Sequence, residues 1–309
     1  MTAPDALRPR KRRKVIQFSA SDPEGLWGDV LGFRPHGGRI RAVRRLVTLL
    51  LWTIFAIPVQ ALLLVLPGRG HVAFGRLYHR TLCALMGVRI QVVGEAAQVA
   101  PVLYVSNHSS WLDVLVLGAT LEASFVGKTD IEGWPLIRTV ARLGPTVFVS
   151  RKRSGTKGEA DSIRARLAAG DSLILFPEGT TSDGGRVLPF RSAFLSVADA
   201  ARQVQPVSVV FDRLGGLPAC RRDRPLFAWY GDTDIFTHFW RLARRSNGRA
   251  TIILHAPLDP ADFPDRKTLT AACAGVVADA CATLRQNRPA VPLHAPIPLK
   301  APQPETLPA

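Results

Sequence analysis

Between Leu46 and Leu66 the chain runs for 21 residues without a charged side chain. A helix of that length is about what crosses a hydrocarbon core of roughly 30 Å. So apolar a block must enter either lipid or a protein interior, and that choice decides the architecture around it. Arg39, Arg41, Arg44 and Arg45 crowd its N-terminal edge, which puts that edge on the cytoplasmic side. The run is too long and too far from Met1 for a cleavable signal peptide, and it lacks a small-residue cleavage site. Pro58 and Gln60 interrupt it. Proline removes a helical hydrogen bond and bends the helix, so a hairpin dipping into the bilayer is the alternative to a clean span. A buried helix of a soluble core is the third reading.

Charge points the same way. Residues 8–14 hold six cations in seven positions, and Lys+Arg outnumber Asp+Glu by 40 to 24, for a net +16. Such an imbalance calls for an anionic partner: nucleic acid, acidic lipid or a phosphate-bearing substrate. Beside an apolar segment, the 8–14 run is better explained as a solvated terminus facing an anionic leaflet than as a nucleic-acid arm. With 47% hydrophobic and 21% charged residues, wholesale disorder is excluded. The four cysteines form no CxxC pair and suit a reducing compartment.

Downstream, apolar β-branched runs recur at Val88–Val93, Val102–Ser106, Phe125–Gly127, Thr146–Ser150, Ser172–Phe176, Val207–Phe211 and Thr251–His255. Helical stretches alternate with several of them: Leu112–Leu121, Gly158–Ala169, Phe190–Ala201 and a closing helix near Arg266–Arg285. The alternation predicts an α/β fold, a mostly parallel or mixed sheet covered by helices, preceded by an apolar membrane helix or helical hairpin. Four segments follow: a basic N-terminal stretch (1–45), a membrane-anchoring helical part (46–84), the α/β domain (85–287) and a Pro-rich tail (288–309) with seven prolines.

Three clusters carry reactive side chains. Asn107-His108-Ser109-Ser110-Trp111-Leu112-Asp113 follows the strand-like VLYVS, where α/β sheets place their ligands. Five residues turn a helix by about 500°, so a regular helix does not put His108 and Asp113 on one face. With His108 in the loop and Ser109 or Ser110 capping the helix, Asp113 can fold back onto the imidazole and leave its other nitrogen free as a base. The plain alternative is a surface histidine near a helix start. Phe176-Pro177-Glu178-Gly179-Thr180 ends a second strand. There Glu178 is a ligand for hydroxyl or cationic groups, or simply a turn residue, and Gly179 permits close backbone approach. Thr146–Ser150 leads into Arg151-Lys152-Arg153, in which Arg151 is a phosphate clamp or part of a solvated basic loop.

Asn-His-x4-Asp, a strand ending in Arg, and Phe-Pro-Glu-Gly-Thr, in that order and spacing over roughly residues 85–215, resemble the glycerophospholipid acyltransferases, of which the bacterial type is 1-acylglycerol-3-phosphate acyltransferase. The resemblance implies that His108 is the general base and Asp113 its orienting partner. It implies that Arg151 holds the acceptor's phosphate, that Glu178, Gly179 and Thr180 bind the headgroup, and that Lys128 lies near the site. It further implies an acyl transfer from acyl-CoA or acyl carrier protein, as co-substrate, to the sn-2 hydroxyl of a membrane lysophospholipid, 1-acylglycerol-3-phosphate, giving phosphatidic acid on the cytoplasmic face of the inner membrane. No cofactor, metal or nucleic acid is expected. General-base help is worth roughly 10²–10⁴-fold on a poorly nucleophilic alcohol. A thioester donor is already activated, in keeping with the lack of a Gly-x-Ser-x-Gly nucleophile elbow.

Two departures bear on the headgroup. Thr181 stands where the family often has arginine after Glu-Gly-Thr, and Ser192-Ala193 follows Phe190-Arg191 where a glycine is usual. A branch acylating lyso-ornithine lipids, whose headgroup lacks phosphate, is therefore the rival on substrate. A non-catalytic basic membrane or nucleic-acid binding module and a lipid hydrolase are the competitors of other classes. Gly127-Lys128-Thr129 mimics a phosphate-binding loop, but Glu122 occupies the position of its first glycine.

Overall fold

A computed structural model of the chain describes residues 38–128, 147–149 and 156–296. The basic run at 8–14 and the tail beyond 296 lie outside the described residues. The seven β-branched runs fall in strands β1 (Val88–Val93), β2 (Val102–Ser106), β3 (Ser124–Lys128), β4 (Val147–Val149), β5 (Leu173–Leu175), β6 (Gln203–Leu214) and β8 (Gly248–Leu254), and a two-residue strand that the runs did not indicate, β7 (Leu217–Pro218), lies between the last two. They make one sheet in the order β1-β8-β6-β2-β5-β3-β4, with β7 paired to β6. β6 meets β8 and β7 antiparallel, and the remaining pairs are parallel. This is the mostly parallel, mixed sheet expected from the alternation.

Every residue of β2 is buried, as a central strand covered on both faces requires. Leu103 and Val105 face one apolar layer, with Leu173, Leu175 and the helices α4 (Thr156–Ala168) and α7 (Arg266–Arg285). Val102 and Tyr104 face the other, with Ile174 and the helices α2 (Gly70–Met86) and α3 (Leu112–Thr120). Between α4 and α7 come the short α5 (Arg224–Phe227) and α6 (Ile235–Ala243). The helix expected over Phe190–Ala201 is instead a 3-10 turn at Phe194–Ala200. Its N–H groups at 194, 195 and 196 bond three residues back. The preceding Arg191 N–H bonds to Pro177 O at 3.0 Å, which ties the segment to the β5 loop.

The apolar run lies in α1 (Gly38–Val65), which begins eight residues before Leu46, so the clustered arginines are helical. At 1.5 Å per residue it is about 42 Å long. It continues unbroken through Pro58, and after a short turn α2 packs back against it as a helical hairpin. Its inner face carries Ala42, Arg45, Thr53, Ala56 and Gln60, while Leu51, Ile54, Phe55 and Leu62 are exposed. Small and polar residues inside with large apolar ones outside reverse the pattern of a helix packed on a soluble core. Arg45 is buried and donates to the carbonyls of Ala243 and Arg245, as Arg41 does to that of Arg244. Those are orphan acceptors at the C-terminal end of α6, so the hairpin is anchored to the α/β body there.

Candidate active site

Because β2 and β5 are parallel neighbours, the segments leaving their carboxyl ends emerge side by side. The first is held by Asn107, a buried amide that continues the ladder beyond β2. Its Nδ2 donates to Val209 O at 2.9 Å and its Oδ1 accepts from Val209 N at 2.8 Å. His108 therefore leaves the sheet next to a residue whose side chain is fixed to β6 by two hydrogen bonds.

Asp113 lies in the first turn of α3 and is fully buried. Its Oδ2 accepts from His108 Nδ1 at 3.0 Å, Ser109 N at 2.6 Å and Ser110 N at 2.9 Å. The N-cap position, Trp111, makes no side-chain cap bond. The expected serine cap is reduced to a 3.3 Å bond from Leu112 N to Ser110 Oγ. Instead the aspartate reaches back to Ser109 and Ser110, the two residues before the N-cap, and the helix dipole favours an anion there. An ionised carboxylate only accepts, so the proton between it and His108 sits on Nδ1 and the neutral ring has its lone pair on Nε2. The imidazole, one-fifth exposed, stacks on Phe176 at 4.1 Å between centroids. A ring so held can take a proton from a group approaching Nε2.

Glu178 adds a bond between the two loops: Oε1 accepts the His108 N–H at 2.9 Å and Oε2 the Leu188 N–H at 3.2 Å. The residue is only 2% exposed. Burial pushes its carboxyl up to about 7, opposed by these two N–H donors and by Arg285 and reinforced by the charge of Asp113. Gly179 turns at φ +71°, and a Cβ there would lie 3.2 Å from the Phe194 ring and 3.5 Å from the Arg191 guanidinium carbon. Its left-handed conformation favours glycine, and a side chain there would push the Phe194 ring aside by a few tenths of an ångström.

The expected residues divide into two sets. His108, Asp113, Glu178 and Gly179 come together, and Thr180 is exposed at the end of the same loop. Lys128 ends β3 opposite Val149, and its side chain lies outside the described residues, as does Arg151 altogether. Sequence reasoning missed Arg191, whose guanidinium lies against Gly179. The Phe190-Arg191 pair following the Glu-Gly-Thr loop was the signal available for it. It also missed the bond from Trp111 Nε1 to the buried His238 Nδ1 at 3.1 Å, which ties α6 to the start of α3.

Residues 89–210 match a family model described as Acyltransferase. A lyso-ornithine lipid O-acyltransferase of Brucella abortus is 36% identical over 241 residues, covering 75% of this chain and 90% of that protein. A 1-acyl-sn-glycerol-3-phosphate acyltransferase of Neisseria gonorrhoeae is 31% identical over 182 residues, covering 57% of this chain and 69% of its own length. Among solved structures, the 1-acyl-sn-glycerophosphate acyltransferase PlsC of Thermotoga maritima superposes with a TM-score of 0.59 at 20% identity. It covers 79% of this chain and 98% of its own, a likeness of fold.

Proposed function

Because the chain belongs to the glycerophospholipid acyltransferase family, we propose that it moves a fatty acyl group from a thioester donor to a free hydroxyl of a lysolipid, with lyso-ornithine lipid as the leading acceptor. The observation that carries the chemistry is the His108–Asp113 pair, in which the carboxylate meets Nδ1 at 3.0 Å and leaves Nε2 as the other ring nitrogen. In the proposed step Nε2 takes the hydroxyl proton as the oxygen attacks the thioester carbonyl. The tetrahedral intermediate then expels the thiolate of CoA or carrier protein, which recovers the proton from the imidazolium. Asp113 holds the ring's tautomer and stabilises its transient charge. Glu178 and Gly179 shape the loop against which the acceptor binds.

Support for lyso-ornithine lipid comes from the Brucella relative, which matches more of the chain at higher identity than the Neisseria one. Thr181 in place of an additional arginine after Glu-Gly-Thr agrees with a headgroup that lacks phosphate. 1-Acylglycerol-3-phosphate is the second reading, favoured by Arg151 at the position of the family's phosphate-binding arginine. In either case the outward-facing apolar surface of α1 suits attachment to a membrane, and the arginines at its start suit the cytoplasmic face.

The test is an acceptor panel: lyso-ornithine lipid, 1-acylglycerol-3-phosphate and lysophosphatidylglycerol, each offered with one radiolabelled acyl-CoA and with acyl carrier protein. Lyso-ornithine lipid should turn over fastest. Transfer to none of them would sink the enzymatic reading. Fatty acid released from lysolipid without any donor would replace it with a hydrolase.

A further inference from the structure

A small cleft, open to solvent, lies beside the His108 loop, with Ser109 and Gly184 in its wall. Val209–Asp212 of β6 form another side, and Arg224 of α5 and Arg285 at the end of α7 line it together. Both arginines are half-buried, and among the described residues no carboxylate lies within ion-pair distance of either. Asp212, in the same wall, is already engaged by the Arg249 guanidinium and the Thr251 hydroxyl. Asp183 acts on Arg224 only at longer range.

The two guanidiniums feel each other. Burial, then the charge of Arg285, then that of Arg221 hold Arg224 below the ordinary arginine range. Like charges gathered in a partly dry cleft repel, and an anion between them converts that repulsion into charge-assisted hydrogen bonds. Arg285 also acts on Glu178, so an anion held there lies near the loops that carry His108 and Glu178. Both arginines fall outside residues 89–210, in the part of the chain that the family match leaves uncovered.

We propose that Arg224 and Arg285 grip an oxyanion of the acceptor's headgroup, and this rests on the acyltransferase reading above. An ornithine acylated on its α-amino group keeps a free carboxylate, which a planar guanidinium fork can take bidentately. A 3-phosphate offers the same oxyanion chemistry.

Binding is measured on the full chain in detergent, without acyl donor, for two pairs of lipids: lyso-ornithine lipid against its methyl ester, and 1-acylglycerol-3-phosphate against monoacylglycerol. The wild type should prefer the acidic member of one pair by about tenfold or more. That preference should collapse towards one in Arg224→Gln and in Arg285→Gln. Arg285→Lys, which keeps the charge at the helix end and loses the fork, should fall between the wild type and the glutamine variants. The pair that loses its selectivity identifies the source of the oxyanion. Preferences unchanged in both glutamine variants would overturn the assignment. So would a raised KM for acyl-CoA with acceptor binding intact, because the cleft would then serve the donor. Failure of the wild type to transfer any acyl group, with the acid-over-ester preference present and lost on substitution, would sink the enzymatic reading and leave the anion site standing.

Discussion

Glu178 Oε1 accepts the backbone N–H of His108 at 2.9 Å, joining the loop after β2 to the loop after β5 across 70 residues of sequence. The imidazole is thus fixed from two directions. Asp113 holds its ring, and Glu178 holds the main chain from which the ring projects.

With its carboxyl pushed up to about 7, Glu178 changes charge near neutrality, and its anionic form binds the two N–H donors more strongly. Acyl transfer should rise with pH along a limb centred near 7. Glu178→Gln should flatten that limb and lower kcat/KM about ten- to a hundredfold, since hydrogen bonds to a charged group contribute about 1.5–3 kcal/mol. A pH profile that Glu178→Gln leaves unchanged would assign the limb to another group.

His108→Ala should reduce kcat by about 10²–10⁴, the range of general-base assistance, with little change in acceptor KM. Asp113→Asn should approach the same loss. Its amide supplies an N–H where the three donors at His108, Ser109 and Ser110 need an acceptor, and it favours the wrong ring tautomer. Near-normal turnover by His108→Ala would remove the imidazole from the reaction.

Acid should destabilise the fold. Burial holds His238 and His255 down to about 4. Within this core His255 Nδ1 accepts from Leu293 N at 3.1 Å and its Nε2 meets Ser208 Oγ at 2.8 Å. Each histidine is neutral when folded, so its contribution is fully present above pH 6.5 and is lost as pH falls towards 4, by on the order of 2–3 kcal/mol. Glu178 works in the opposite direction. Its raised carboxyl pKa favours the folded state below pH 4.5, and that contribution disappears as pH rises through about 7. Thermal melts from pH 7.5 to 4.5 should show a falling Tm, and a steeper fall in Glu178→Gln. A Tm independent of pH over that range would contradict the neutral-histidine assignment.

The outer face of α1 should govern membrane attachment. Leu51→Glu combined with Ile54→Glu places two acids where the helix is exposed and apolar, and each costs about 2.5–3.5 kcal/mol at the centre of a span. The double variant should leave the vesicle-bound fraction in a flotation assay, whereas Thr53→Ser on the inner face should stay bound. Unaltered flotation of the double variant would mean that this face does not meet lipid.

Short-range features were legible from the chain alone. The strands from Val88 to Val93 and from Val102 to Ser106 match their β-branched runs to the residue. The His108–Asp113 contact follows from a strand–loop–helix junction closed within five residues. Local pattern misled at Phe190–Ala201, where the chain forms a 3-10 turn tied through Arg191 N–H to Pro177 O.

Residue order alone therefore indicated seven of the eight strands, which run is apolar enough for lipid, and which histidine has an acid within reach, because each depends on neighbours only a few positions apart. Tertiary structure decided that β5 lies beside β2, bringing Glu178 to His108. It also decided that Arg224 and Arg285 share one cleft, and that α1 turns its small and polar stripe inward. Strand order and helix rotation are set by how two apolar layers close over a single sheet, a balance of packing over the whole molecule that no short window of sequence contains.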